Sequence, residues 1–332
     1  MEVTNLDSIT PEEVKWLFYP YIPLGKVTTI WGNPGSGKSS LAMKLAANAS
    51  NGIFELGKSN IEFQEPINVF ILSAEDGLAD TIVPRLIANN ANRSKIVASS
   101  DSIDLNSEYL DTVIQEKNIK LLIIDPIQNY LGEKVDMNRA NQVRPVMRRL
   151  TKLAEKQNCT IILIGHLNKG TNSALYKALG SVDFVAATRS SFIVAPAPEN
   201  PDIRILAQTK NSLARLSPSI AFIIKEHSEI EWIDYKNIPA DELVKVEKYS
   251  KFETAKEIIL LALASGEKSY SEMETIAKAN NIGIRTLKEA KKALGIIPVK
   301  HSNYWSWKLP STDNSPLASL PSSIDESNPN IR

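Results

Sequence analysis

Cysteine is almost absent from this chain: Cys159 is the only one in 332 residues. A lone thiol beside an apolar run builds no disulfide framework, and it reads as a small buried residue at the start of a strand. No apolar stretch approaches the roughly 20 residues that cross a bilayer, and no signal pattern opens the sequence. A cytoplasmic protein without a membrane span is the expectation. An excess of one charge is lacking too. Lys and Arg total 38 and Asp and Glu total 38, so no global field advertises a polyanionic partner, and a nucleic-acid surface would have to be a local patch. The length suits one large α/β domain with a small companion, or two domains of moderate size.

What is present begins with Gly32-Asn33-Pro34-Gly35-Ser36-Gly37-Lys38-Ser39, which matches G-x-x-x-x-G-K-[ST]. Glycines let successive backbone N–H groups turn inward on phosphates, Lys38 would reach the β and γ oxygens, and the Ser39 hydroxyl would hold Mg²⁺. The flanks agree with the motif. Lys26 to Trp31 is β-branched and strand-like, and from Ser40 to Ala49 apolar residues recur at helical spacing. The expected ATP-binding set is therefore Gly32, Asn33, Pro34, Gly35, Ser36, Gly37, Lys38, Ser39 and Ser40.

Further strand-like runs are Asn68 to Ser73, Lys95 to Ala98, Lys120 to Ile124 and Thr160 to Ile164. Amphipathic helices fall between most of them, which predicts an α/β fold with a mostly parallel twisted sheet. Ser191 to Ala195, Ile203 to Gln208 and Ile220 to Ile224 lie close together with Pro-rich turns, and they read as antiparallel edge strands. The large domain is predicted over 1–240 and a charged linker over 241–250. A small unit over 251–309 follows, with helices at Phe252 to Ala264, Ser271 to Asn280 and Ile284 to Leu294. Ile297 to Leu309 is predicted as an aromatic-rich hairpin with Asn303 at its tip. This pattern suggests a winged helix-turn-helix. Residues 310–332, rich in Ser, Pro and Asn, are expected to be disordered.

Acids stand at the ends of two predicted strands. Leu121-Leu122-Ile123-Ile124-Asp125 places a carboxylate where a Mg²⁺ ligand is needed, and Ser73-Ala74-Glu75-Asp76 places two where a base would activate water. A parallel sheet brings all such strand ends to one edge, beside the phosphate loop. Glu75 is the preferred base because its side chain is longer, whereas Asp76 also suits a helix cap near Leu78. His166 ends Ile162-Leu163-Ile164-Gly165-His166 on the same edge, placed to sense the γ-phosphate.

Taken in order, these motifs resemble those of RecA-type ATPases of the plasmid RepA helicase kind, distantly related to the DnaB ring helicases. The resemblance runs from Val14 to about Glu231. It is carried by Trp16 to Gly25, the phosphate loop, Ser73 to Asp76, Ile123 to Pro126, Gly165 to Gly170, Gly180 to Asp183 running to Arg189, and Gln208 to Asn211. It implies a homo-oligomer, a hexameric ring with ATP between subunits, Glu75 as base, His166 as sensor, and a cation pair in trans that maps onto Arg189 and Lys210. An arginine finger contributes about 10³–10⁵ in rate. The DnaB-type Lys-x-Arg is replaced here by Lys210-Asn211-Ser212, so the finger must come from elsewhere, with Arg215 as the rival to Arg189.

DNA contacts would come from loops Gly132 to Asn141 and Lys169 to Leu179, which hold Lys134, Arg139, Lys169 and Lys177. In 250–310, ten Lys and Arg stand against six Asp and Glu. Arg285, Lys288, Lys291, Lys292 and Lys300 would meet phosphates while aromatic residues of the hairpin pack or stack. A DNA-stimulated helicase is the leading expectation. A RecA/RadA-like recombination or repair ATPase and a nucleotide-switched DNA-binding regulator stand beside it.

Overall fold

The computed structural model describes the chain except residues 1–4, 59–63, 102, 133–134, 138, 168–181, 265, 281 and 310–332. It divides into two units, Met1–Lys245 and Val246–Arg332. Lys134, Lys169, Lys177 and the tail expected to be disordered lie outside the described residues.

In the first unit, Trp16–Phe18 (β1) and Ile22–Pro23 (β2) form a small antiparallel pair. Val27–Gly32 (β3) runs through the phosphate loop into Lys38–Ser50 (α1). Asn68–Ser73 (β4), Val83–Ala88 (α2), Ile96–Ser99 (β5) and Glu108–Glu116 (α3) follow, then Ile119–Asp125 (β6), Ala140–Gln157 (α4), Thr160–His166 (β7) and Val182–Ala187 (α5). Ser190–Pro196 (β8), Ile203–Asn211 (β9), Ile220–Ile224 (β10) and Ile230–Ile233 (β11) complete a nine-stranded sheet of order β11-β10-β9-β8-β3-β7-β6-β4-β5.

The six strands from β8 to β5 in that order are parallel, as βαβ connection requires, and the rest are antiparallel. Strands β3, β6 and β7 are buried along almost their whole length, because helices cover both faces. Alternation along β3 sends Ile30 into a core with Leu41, Leu45 and Phe222 on one face. It sends Trp31 into a core with Leu150, Leu163 and Phe184 on the other. Gly165 on β7 is a consequence of Trp31: a Cβ there would stand 2.2 Å from the indole.

The segment at 191–195 differs from expectation. It is β8, inside the sheet and parallel to β3, and the change of direction comes one strand later, between β8 and β9. Phe192, Ile193 and Val194 are all buried, so the segment is covered on both faces and the nearby prolines mark only its exit. The outermost strand on that side is β11, which the sequence reading missed. Its Ile-Glu-Trp-Ile alternation of buried and exposed residues is a period-2 signal over only 4 residues.

Residues 241–250, expected as a linker, lie within a helix, Ala240–Ala264 (α6). Beyond it Lys268–Ser269 (β12), Tyr270–Ala279 (α7), Ile284–Ala293 (α8), Ile297–Lys300 (β13) and Trp305–Lys308 (β14) follow, with strand order β12-β14-β13, all antiparallel. The second unit has its own core of Ile259, Met273, Leu287 and Trp307. Ser269 and Glu272 form a capping box that starts α7. No helix among the described residues is long and apolar enough to cross a membrane.

Candidate nucleotide site

The loop between β3 and α1 turns at Asn33, whose carbonyl accepts from the Ser36 N–H at 3.1 Å. Gly37 precedes α1 with φ +95°, a left-handed conformation that favours glycine, and no side chain caps the helix. The first N–H groups of α1 therefore face an open anion-binding position. Lys38 folds back over the loop and donates to the Asn33 carbonyl at 2.8 Å. It is only 5% exposed. Burial pulls its ammonium down to about 8, against the attraction of Asp125 and Glu75. The Ser36 hydroxyl is buried without a hydrogen-bond partner among the described residues.

Parallel register delivers the remaining groups. Ser73 of β4 stands beside Asp125 of β6, and Gly32 of β3 beside His166 of β7. Burial pushes the Asp125 carboxyl up to about 6, while a hydrogen bond with Ser39 and the charge of Lys38 hold it lower than burial alone would. Ser39 and Asp125 thus offer touching hard oxygens, a donor set that fits Mg²⁺.

Glu75 and Asp76 separate. Asp76 is tied to Arg85 of α2 at 2.5 Å, whereas Glu75 is exposed and its charge acts on both Lys38 and His166. The His166 imidazole is held down by burial and by Lys38, and its Nδ1 is buried without a partner among the described residues. That nitrogen can still make one hydrogen bond. One cavity of about 290 Å³ takes in Lys38, Ser39, Glu75, Asp125 and His166. Arg85 lines it too, and the sequence reading missed it. Its partner lies nine residues upstream across an irregular helical turn at Leu78–Ile82, a separation with no periodic signature.

Arg189 and Lys210 are brought together elsewhere. The Arg189 N–H bonds Val27 at the start of β3, and Lys210 donates to the carbonyls of Val185 and Ala186 at 2.7 and 3.0 Å, capping α5. Burial and the charge of Arg189 both lower the Lys210 ammonium. The two cations therefore stand at the edge where β3 begins, about 16 Å along the strand from the phosphate loop. They do not enter this chain's own cavity. Arg215 is exposed between β9 and β10, and Arg139 pairs with Asp136 at 3.4 Å.

In the second unit Arg285 pairs with Glu289 at 3.0 Å. Lys288, Lys291 and Lys300 lie over the rings of Tyr270, Trp307 and Trp305 at 5.7, 4.6 and 5.9 Å. Lys292 is exposed. Lys291, expected to meet phosphates, is instead half-buried against Trp307, and burial lowers its ammonium. A larger hollow of about 810 Å³ in this unit is lined by Glu267, Glu272 and the hairpin aromatics. Its carboxylates make it unsuited to a triphosphate.

The model of the AAA domain family matches residues 1–172. The DNA repair protein RadA of Bacillus subtilis is 28% identical over 149 residues, covering 44% of this chain and 28% of RadA. The replicative DNA helicase DnaB of Rickettsia bellii is 22% identical over 165 residues, covering 42% of this chain and 33% of DnaB. The matches thus take in about a third or less of these curated relatives. Among solved structures, a KaiC-like protein from the hyperthermophilic archaeon Pyrococcus horikoshii is similar with a TM-score of 0.49 and 16% identity, over 64% of this chain and 91% of that one.

Proposed function

This chain belongs to the AAA domain family, and on that footing we propose that it is an ATP-hydrolysing, oligomeric, DNA-dependent motor. The specific reading is a replicative helicase of the plasmid RepA kind, working in the cytoplasm on behalf of a plasmid, phage or integrated element. One observation supports it above the others: a single cavity gathers a buried lysine, a touching Ser39 and Asp125, an exposed Glu75 and His166, whose imidazole is held below its ordinary value by burial.

Residues Gly32 to Ser40 wrap the triphosphate, with Lys38 regaining in phosphate charge what burial takes from it. Ser39 and Asp125 would hold Mg²⁺, which when bound offsets negative charge on the β and γ oxygens. Glu75 orients the attacking water and receives its proton. His166 contacts the γ-phosphate as a neutral donor. Arg189 and Lys210 act on the site of a neighbouring copy in a hexameric homo-oligomer. The second unit serves as a winged helix in which Arg285, Lys288, Lys292 and Lys300 face DNA phosphates, and the loops holding Lys169 and Lys177 contact single-stranded DNA.

Strand displacement on a forked DNA substrate tests the reading. ATP-dependent unwinding abolished in Glu75→Gln is the expected result. Turnover with no unwinding, together with filaments on DNA by electron microscopy, would instead establish a recombination or repair ATPase. That second reading is favoured by an identity to RadA of 28% against 22% to DnaB.

A further inference from the structure

Arg204 stands near the start of β9, at the edge of the sheet where β3 ends. Gly32 pairs with Val194 of β8, Val194 pairs with Leu206 of β9, and Arg204 is two residues nearer that edge. Alternation along β9 puts Arg204 on the face of Leu206, which lies in the core with Leu41 and Leu45 of α1. Its neighbours across the strands are Pro196 and Phe222, and neither side chain can accept a hydrogen bond. A Cβ added to Gly37 would stand 2.8 Å from Ile224 Cδ1 and 3.7 Å from Arg204 Cγ. The ends of β9 and β10 therefore lie directly under the turn that starts α1. The guanidinium is three bonds beyond Cγ, hence within about 4 Å of it.

Two of the guanidinium nitrogens, Nε and Nη1, are buried without a hydrogen-bond partner, and Arg204 has no ion pair among the described residues. Arg85 and Arg149, partly buried in the same unit, each hold a carboxylate. A buried charge without a partner is costly, and an arginine cannot escape by losing its proton. Packing of the aliphatic stem explains the place of Cγ. It does not explain the orphaned donors, since methionine would fill the same space without them.

What would neutralise Arg204 is an anion on the loop above it. Ile224 lines the 290 Å³ cavity and Arg204 does not, so the guanidinium acts through space rather than by contact. It also acts from the flank opposite the acids: β9 lies beyond β8 on one side of β3, whereas β6 and β4, which carry Asp125 and lead to Glu75, lie beyond β7 on the other. Burial holds the Lys38 ammonium down at about 8, so both cations gain when phosphates arrive. At an effective dielectric constant near 20, a unit charge about 8–10 Å from one negative charge is equivalent to about 15–30-fold in affinity.

We propose that Arg204 is a fixed positive charge beneath the phosphate loop whose counter-ion is the bound nucleotide, so that it lowers the stability of the empty protein and raises its affinity for polyphosphate. The choice of a nucleotide as that anion rests on the reading above. Arg204 touches no reacting atom and is a positioning residue.

The test uses the whole chain and its Arg204→Met, Arg204→Gln and Arg204→Lys variants. Melting of the nucleotide-free protein, calorimetric binding of ADP, ATP and inorganic tripolyphosphate, and steady-state turnover are measured on each. Arg204→Met should melt higher than the parent when empty, and should bind all three ligands at least about 10-fold more weakly. KM for ATP should rise with kcat nearly unchanged, because the charge serves ground state and transition state alike. Arg204→Lys keeps the charge and should retain most of the affinity. Arg204→Gln should show the same loss of binding where the methionine variant does not fold.

A lower Tm with unchanged binding would make Arg204 a packing residue and overturn the proposal. Equal losses in the lysine and methionine variants would do the same, since shape and not charge would then matter. Tripolyphosphate binding kept while ADP binding falls would mean contact with the nucleoside, which is also contrary to it. A parent chain that binds none of the three ligands overturns the nucleotide reading itself.

Discussion

Arg85 holds Asp76 at 2.5 Å on the rim of the nucleotide cavity, and so separates two acids that are adjacent in the chain. A carboxylate bonded to a guanidinium is a poor proton acceptor, because protonation would break a charge-assisted bond. Glu75 carries no such tie and is exposed to the cavity.

Glu75→Gln should therefore retain ATP affinity and lose turnover by about 10²–10⁴. Lys38→Ala should lose tight triphosphate binding, because its ammonium serves the ground state as well. Nucleotide binding by fluorescence and phosphate release measured side by side separate the two. Parental turnover in Glu75→Gln would transfer the role to Asp76.

Arg189→Ala should leave nucleotide affinity nearly intact and cut kcat by about 10³ or more. Lys38 lies beyond the end of β3 and Arg189 just before the start of its parallel neighbour β8, so for both to act on one nucleotide would need two copies. Mixing Arg189→Ala with Lys38→Ala protein should restore part of the activity. Turnover per chain that does not depend on protein concentration, with no rescue on mixing, would remove Arg189 from the reaction.

Asp125→Asn should raise the Tm of the nucleotide-free protein near pH 7.5 while abolishing Mg²⁺-dependent turnover. The folded carboxyl is raised from 3.8 to about 6, so its contribution to stability is complete below 3.8 and lost as pH rises through 6. Neutral amide at that position removes a cost on the order of 3 kcal/mol. Melting curves at pH 5 and pH 7.5 check the sign: the gain should shrink at the lower pH. An equal or lower Tm at pH 7.5 would contradict the buried charge.

Lys288→Glu/Lys292→Glu in the whole chain should weaken binding to duplex DNA and flatten the salt slope by about 0.9 for each phosphate no longer neutralised. Both positions are exposed on α8. Lys291 is left out because it packs over Trp307 at 4.6 Å, and its replacement would disturb the core. Truncation near Ser250 is avoided for a similar reason, since α6 runs unbroken through that point. An unchanged slope would make this unit a contact surface for protein.

Several parts of this protein were written in local sequence. The phosphate loop, its strand and its helix were legible because glycines, lysine and periodicity all act within some twenty residues. Asp125 and His166 were legible as polar residues ending apolar runs, and a parallel sheet has only one edge on which to place them. Only tertiary structure decided the rest. The neighbour of a strand is chosen by packing across the sheet, so β8 beside β3, the added edge β11 and the hold of Arg85 on Asp76 leave no local mark. The groove in which Arg144, Arg148 and Lys152 of α4 face Arg189 is the clearest case. The spacing of Arg144, Arg148 and Lys152 was present in the sequence as an ordinary polar helix face. Folding alone set Arg189, thirty-seven residues beyond Lys152, across from that face, because chain separation does not determine distance in space.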